Sequence, residues 1–260
     1  VLSSSVVAKA FSRACDSYEV AAQPQKIFAC RLVELLERAG RAQHPKHILE
    51  LGAGTGALSR QLLSLYPGAS LTVVDISSSM LHRLSRSVES ENLQCITSDI
   101  QQLEFPEQVE LIASSSTLHW LNDIERVLHQ SARAIVPGGQ LLFSFMVDGT
   151  LRELQEVKQE LFPGVGTFPY LAVDTFRDTL AASGFRIALE ERDVLEQWYR
   201  GPRKLMWVLK QMGVTRSPHI RVLNKRELLA LEARYAERFA TESGEVPATY
   251  VSYRVVAVRG

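Results

Sequence analysis

Apolar residues recur along this chain of 260 residues with a period that switches back and forth between helical and extended. Residues 5–19 and 24–39 carry them at three- and four-residue intervals, which predicts two helices ahead of any strand. A short apolar run at 48–51 stops at Gly52, and residues 57–63 return to the helical period. Further short apolar runs close at Asp75, at Thr97 and before Thr117, and another spans 140–146 after the turn-like Pro137-Gly138-Gly139. Helices are predicted at about 151–161 and 174–183, followed by a strand that starts at Gly184 and continues to Tyr199. The chain closes with an alternating to apolar run at 249–258, suited to a last strand. Strands alternating with helices predict βαβ units and a parallel sheet, hence an α/β, doubly wound, mostly parallel seven-stranded fold. About fifty residues separate the last two strands, with helices predicted at 202–212 and 225–241. A connection that long in a compact domain is either a functional cover or a packing appendage.

The first strand ends in Glu50-Leu51-Gly52-Ala53-Gly54-Thr55-Gly56 and opens a helix. Glycine has no Cβ and tolerates positive φ, so such a loop lets a ligand approach the backbone. Strand, glycine loop and helix together form the nucleotide corner of a doubly wound sheet. Gly52, Gly54 and Ala57 satisfy the dinucleotide spacing, and Asp75 lies 19 residues past the third glycine, where a ribose acid belongs. Spacing alone therefore allows a nicotinamide cofactor. Charge favours a different ligand: Glu50 stands at the mouth of the loop, where a pyrophosphate would meet an anion instead of bare amides. A cationic nucleoside fits better.

Composition narrows the class further. Lys and Arg number 29 and Asp and Glu 29, which argues against a wholesale nucleic-acid binder. No apolar stretch reaches the ~18 residues of a membrane span and no secretory pattern opens the chain, so a cytoplasmic enzyme is expected. Cys15, Cys30 and Cys95 are odd in number and lack metal-ligand spacing; they are read as buried small hydrophobes, with no metal expected. From Arg200 to Arg226 eight basic residues occur with no Asp or Glu between them: Arg200, Arg203, Lys204, Lys210, Arg216, Arg221, Lys225 and Arg226. Such a run is either an anion-facing surface or a solvated helix face.

Four motifs in order resemble the class I S-adenosylmethionine-dependent methyltransferases: the Glu50–Gly56 loop, Val73-Val74-Asp75-Ile76-Ser77, Ser98-Asp99-Ile100, and Val136-Pro137-Gly138-Gly139 leading into a strand. The resemblance implies a Rossmann-like fold that binds S-adenosyl-L-methionine. The implied contacts are Glu50, Gly52, Ala53, Gly54, Gly56, Asp75, Ile76, Met80, Asp99, Ile100 and Ser115, with Asp75 at the ribose and Asp99 at the adenine amine.

Other segments narrow the likeness: residues 7–19, Thr117-Leu118-His119-Trp120-Leu121, Gly149-Thr150-Leu151-Arg152-Glu153-Leu154, Leu209-Lys210-Gln211-Met212-Gly213 and Val246-Pro247-Ala248-Thr249-Tyr250. Together they resemble the malonyl-[acyl-carrier-protein] O-methyltransferases of biotin synthesis, over nearly the whole chain. His119 stands where that family more often has Gln, and Glu50 and Ala53 where Asp and Cys are frequent. The implied acceptor is the free carboxylate of a malonyl thioester on an acyl carrier protein. The partner is that carrier, with no nucleic acid, no membrane and at most weak self-association. The implied layout is a methyltransferase domain of 1–199 and 248–260, with 1–40 as a helical lid and 200–247 as an inserted lid or substrate segment.

A malonyl carboxylate, with a pKa of roughly 4, is already ionised at neutral pH, so the reaction needs no general base. Tyr18 and His119 are the first candidates to hold it, each with packing as the alternative role. Trp120 is either a channel wall or core. Arg152 and Arg203 are weaker carboxylate candidates, and Arg203, Lys204 and Lys210 are candidates for carrier docking. Two rivals remain at this point: a methyltransferase of the same fold acting on an aconitate-like acid, and a non-catalytic S-adenosylmethionine-binding subunit.

Overall fold

The computed structural model describes residues 4–42, 44–164, 168–213 and 223–260. Two helices, α1 (Ser4–Ala21) and α2 (Gln23–Ala39), precede β1 (His47–Leu51). Then come α3 (Ala57–Leu65), β2 (Ser70–Asp75), α4 (Ser78–Ser87), β3 (Leu93–Thr97) and β4 (Val109–Ser115). A 3₁₀ turn (Leu118–Trp120) leads to α5 (Ile124–Ala134) and β5 (Ile135–Met146). The rest is α6 (Arg152–Leu161), α7 (Val173–Ala182), β6 (Phe185–Tyr199), α8 (Pro202–Gln211), α9 (Lys225–Phe239) and β7 (Val246–Arg259). The strands form one seven-stranded sheet of order β3-β2-β1-β4-β5-β7-β6, parallel except for β7, which runs antiparallel to both its neighbours.

Successive strand residues point to opposite faces, and the two faces of this sheet are separate cores. Leu49, Leu51, Val74, Ile112, Phe143 and Phe145 pack with Val127 and Leu128 of α5 and Phe176 and Leu180 of α7. Ile48, Leu71, Val73, Leu111, Ala113 and Leu142 pack with Leu32 and Leu36 of α2, Leu58 and Leu62 of α3, and Leu81 and Leu84 of α4. Covering both faces is why the inner strands read as short apolar runs without polar alternation. A third cluster lies under the inserted segment, where Leu205, Val208 and Leu209 of α8 and Leu231 and Tyr235 of α9 meet Tyr199, Tyr250 and Met146. Edge strand β6 alternates exposed and half-buried residues and carries charge, which discourages pairing with another chain.

The predicted elements are all present, with three corrections. Pro137-Gly138-Gly139 is not a turn ahead of the strand but lies inside β5, which already begins at Ile135. The glycines accommodate a bulge there: the β4–β5 register shifts between Val109 and Leu111, Gly138 has φ +77°, and a Cβ on Gly139 would lie 2.7 Å from Ile135. Residues 246 and 247, assigned to the insertion from sequence, belong to β7. The cysteines are free, but Cys30 and Cys95 are exposed: Cys30 falls outside the apolar stripe of α2, and Cys95 on the edge strand β3.

Candidate active site

The glycine loop lies where the strand order reverses between β1 and β4, the place where a doubly wound sheet opens a crevice. Each glycine there has its own physical reason. A Cβ on Gly52 (φ +73°) would fall 2.2 Å from Thr117 Oγ1, so this position lets β1 pass the loop after β4. Gly56 (φ +87°) packs on Leu84 of α4 and is the N-cap of α3. Gly54 (φ +54°) has nothing within 4 Å of its would-be Cβ and lines the cavity. Gly52 and Gly54 both line the cavity and Gly56 does not; the open space lies at Gly54, whereas at Gly52 and Gly56 the missing side chain serves the chain's own packing.

The loop is tied to the acid at the end of β2. Asp75 Oδ2 accepts from Gly54 N at 2.8 Å and Oδ1 from Ser77 N at 2.8 Å. Burial raises the Asp75 carboxyl above its ordinary range, and the two amides oppose that. Asp99, past β3, accepts from Gln101 N at 2.9 Å and from Ser4 Oγ at 2.5 Å. Ser12 pairs with Ser77 at 2.9 Å. Helix α1 therefore lies along the crevice, bonded at one point beside Asp99 and at another beside Asp75.

The cavity lined by this loop also takes in Ile76, Met80, Ile100, Ser115, Tyr18 and Trp120. Glu50 is 2% exposed, yet its Oε2 has no hydrogen-bond partner. Burial pushes its carboxyl up to about 8, helped by neighbouring Asp75 and opposed by Ser59 and Arg60. A buried acid on the lining of a cavity is a site for a cation and a poor one for phosphate. The donor set, two more acids and three apolar walls, fits a cationic adenosyl group.

Tyr18 is half-buried on α1, and its phenol is held far toward the protonated form by burial and by nearby Asp75, so it is a hydrogen-bond donor. His119 does not line the cavity. Its Nδ1 accepts from Met146 N at 3.3 Å, which leaves the proton on Nε2. Burial drives its pKa down to about 3, so the ring is neutral at physiological pH. Its place is beside an aromatic series, Phe11–Trp120–Phe168, packed edge on; His119 meets Phe168 edge on and Trp120 at a tilt. Trp120 both lines the cavity and packs in that series.

The structure does not bring the arginine candidates to the cavity. Arg152 starts α6 with its side chain 59% exposed and bonds to Glu153 at 3.2 Å, a carboxylate held in turn by Thr249. Arg203 is 84% exposed, 3.9 Å from Glu232. Both sit on helices whose inner faces pack on the third core cluster, which turns the charged positions outward. Lys204 lies over the exposed Trp207 ring at 3.9 Å, and Lys210 is exposed on the same helix. Positions 203, 204, 207 and 210 form one outward face of α8. Arg216 and Arg221 lie outside the described residues. No described residue of the inserted segment lines the cavity; α8 packs behind α1 instead. Ser4, Phe11, Gln25 and Thr117, which the sequence does not single out, do line it.

This fold and this crevice define a class I methyltransferase, and residues 48–139 match the family model described as a methyltransferase domain. The malonyl-[acyl-carrier protein] O-methyltransferase of Geobacter sulfurreducens is 31% identical over 94% of this chain and 94% of its own length. The protein of that name from Halalkalibacterium halodurans is 30% identical over 94% of each. The chain belongs to this malonyl-[acyl-carrier protein] O-methyltransferase family. Among solved structures, phosphoethanolamine N-methyltransferase 2 of Haemonchus contortus, in complex with phosphomonomethylethanolamine and S-adenosylhomocysteine, has a TM-score of 0.54 at 18% identity. That match covers 88% of this chain and 52% of that one, and it shows the fold alone.

Proposed function

We propose that this chain methylates the free carboxylate of a malonyl group held as a thioester on acyl carrier protein, with S-adenosylmethionine as donor, giving the methyl ester and S-adenosylhomocysteine. The product is an early intermediate on the way to the pimeloyl chain of biotin. The names of the relatives support the acceptor. The observation that carries the donor is Glu50, a buried acid among the residues that line the cavity at the glycine loop. When bound, S-adenosylmethionine supplies an electrophilic methyl group on a cationic sulfur.

The residues of the chain bind, align and exclude water. Asp75 accepts from ribose hydroxyls with the lone pairs its two amides leave over. Asp99 accepts from the adenine amine between the apolar side chains of Ile76, Met80 and Ile100, with Ser115 and Ala53 completing the floor. Gly52 and Gly56 hold the loop that presents Gly54. Tyr18 donates its phenolic hydrogen to the malonyl carboxylate, which is ionised without a base. His119, neutral and bonded to the Met146 amide, positions Trp120 and the aromatic wall rather than pairing as a cation. Helix α1 is the lid and the inserted segment its buttress, keeping the crevice dry so that opposite charges meet unscreened. The acid-free face of α8, with Arg203, Lys204 and Lys210, receives the acidic carrier.

The test is labelled methyl transfer onto malonyl-carrier protein, malonyl-CoA, free malonate and aconitate in parallel. Methylation of malonyl thioester is expected; methylation of aconitate alone, or of nothing despite tight S-adenosylhomocysteine binding, would sink the reading. Reversing Arg203, Lys204 and Lys210 to Glu should raise KM for the carrier-linked substrate about tenfold or more while changing KM for malonyl-CoA far less. Equal effects on both substrates would remove the docking face.

Glu50 adds a pH dependence. The folded chain holds a proton on it up to about pH 8, whereas an unfolded chain releases that proton near the ordinary glutamate value. The native state therefore binds more protons in between, and stability falls as pH rises through that window. A bound ammonium or sulfonium favours the ionised form. Affinity for S-adenosylhomocysteine, which keeps the ammonium, should rise up to about tenfold per pH unit from 6 to 8 and level off above. Calorimetry in buffers of different ionisation enthalpy should detect proton release at pH 7, and Glu50→Gln should abolish both slope and release.

A further inference from the structure

The cavity holds a second buried acceptor that the glycine motif and the three acids leave unexplained. Gln25, in the first turn of α2 just past Pro24, lines the same cavity as Glu50 and Tyr18. Its Oε1 is buried without a hydrogen-bond partner. Among the described residues that line the cavity, Glu50 Oε2 and Gln25 Oε1 are the two side-chain atoms in that condition. Native proteins rarely leave such atoms unpaired, and two of them on residues that line one cavity point to a ligand that carries donors.

The path of the chain says which end of the ligand they face. Helix α1 touches Asp99 through Ser4 and Ser77 through Ser12, running past the ends of β3 and β2 in turn. At ~1.5 Å per residue its 18 residues span ~27 Å, enough to cover an extended adenosyl amino acid. After a break at Ala22 the chain turns into α2, and Gln25 joins the cavity there, with Glu50 on β1. The adenine end is at Asp99, so Gln25 belongs with Glu50 at the other end. The helix that presents it is rigid: Phe28, Ala29, Leu32, Leu35 and Leu36 are fully buried. Arg31 of the same helix bonds to Asp193 at 2.8 Å, and its carbonyl accepts from buried Arg254 at 2.6 Å.

A carboxamide offers an acceptor and a donor side by side. The far end of the methyl donor is an α-amino acid, with an ammonium and a carboxylate on one carbon. We propose that Gln25 reads this end, its oxygen joining Glu50 around the ammonium and its N–H donating to the carboxylate. Glu50 alone would accept any cation; Gln25 adds the requirement for the amino acid. This rests on S-adenosylmethionine being the donor, and it assigns Gln25 a specificity that the donor reading does not contain.

Two ligands separate the possibilities. S-adenosylhomocysteine has the amino-acid end, and 5′-methylthioadenosine is the same adenosyl thioether without it. Calorimetric Kd values for both should be measured on the wild type, on Gln25→Met, which nearly preserves shape, and on Gln25→Ala, with thermal melts to verify folding. Gln25→Met should lose about 10- to 100-fold in affinity for S-adenosylhomocysteine, the scale of hydrogen bonds to charged groups, and less than about twofold for methylthioadenosine. Equal losses for both ligands, or none for S-adenosylhomocysteine, would overturn the role of Gln25 and leave the donor intact. A wild type that binds neither ligand would overturn the donor reading itself and Gln25's role with it. If Gln25→Ala melts early, the Met variant decides.

Discussion

Asp75→Ala lowers the affinity for S-adenosylhomocysteine about a hundredfold or more while the chain stays folded. In the native structure both carboxylate oxygens are engaged by backbone amides at 2.8 Å, one from Gly54 and one from Ser77. These bonds hold the carboxylate at the crevice, and in the proposed function its remaining lone pairs are the ribose acceptors. Hydrogen bonds to a charged group contribute roughly 1.5–3 kcal/mol each, so losing two ribose contacts is enough for the stated loss. The glycine loop also loses its tether, which adds to it. Stability should fall as well, because the Gly54 and Ser77 amides lose their acceptor, offset in part by relief of the burial that raises the Asp75 carboxyl. Asp75→Asn, which keeps one acceptor oxygen, should fall between. Calorimetry and a thermal melt on the same samples check both halves. An unchanged Kd would refute the ribose role, and a collapsed melting curve would reassign Asp75 to folding.

Gly52→Ala has the opposite signature: it damages the fold first. The new Cβ would sit 2.2 Å from Thr117 Oγ1 and 2.3 Å from its Cγ2, in a backbone conformation of φ +73°. Thr117 cannot simply rotate away without loss, because its hydroxyl donates to the carbonyls of Gly52 and Ser115. Overpacking costs ~1–3 kcal/mol and the left-handed conformation ~1–2 kcal/mol for a residue with a Cβ. In a chain of this size that lowers the Tm by roughly 5–15 °C. Adding Thr117→Ala should recover only part of the steric cost, because the Thr117 Cβ that alanine keeps would still lie 2.7 Å away, and it should leave the backbone part. Gly54→Ala is the control. At φ +54° it shares the backbone cost but not the clash, since its Cβ meets no chain atom within 4 Å; it should melt higher than Gly52→Ala, and because it lines the cavity it should also lose ligand affinity. Equal melting temperatures for the two variants would contradict this division of labour between the glycines.

Most of the fold was legible because local pattern and tertiary environment agree. Runs such as 48–51 and 140–146 are apolar on both faces and sit in the middle of a covered sheet. The helices at 202–212 and 225–241 were readable for the same reason: Leu205, Val208 and Leu209, and Leu231 and Tyr235, bury one stripe each. The bulge at Gly138-Gly139 was not readable. A Pro-Gly-Gly run fits a turn and a bulged strand equally well, and only pairing with β4 distinguishes them. The cysteines misled because a small residue on an edge strand or on an outer helix face looks in sequence like one in a core.

At the site, Glu50, Gly52, Gly54, Asp75 and Asp99 come together at one cavity because they belong to one loop and two strand ends, where spacing along the chain is spacing in the molecule. That much the sequence determined by itself: a doubly wound sheet, and a glycine loop that shares its crevice with three acids. Tertiary structure alone decided who joins them. Ser4, Tyr18 and Gln25 reach the cavity because α1 lies across the ends of β3 and β2 before the chain turns into α2. Arg152 and Arg203 miss it because α6 and α9, with α8, bury their apolar stripes on one another and turn their cations to solvent. His119 is neutral because its neighbours exclude water and the Met146 amide takes its Nδ1. Burial and long-range packing set these outcomes, and neither is a property of residues adjacent in the chain.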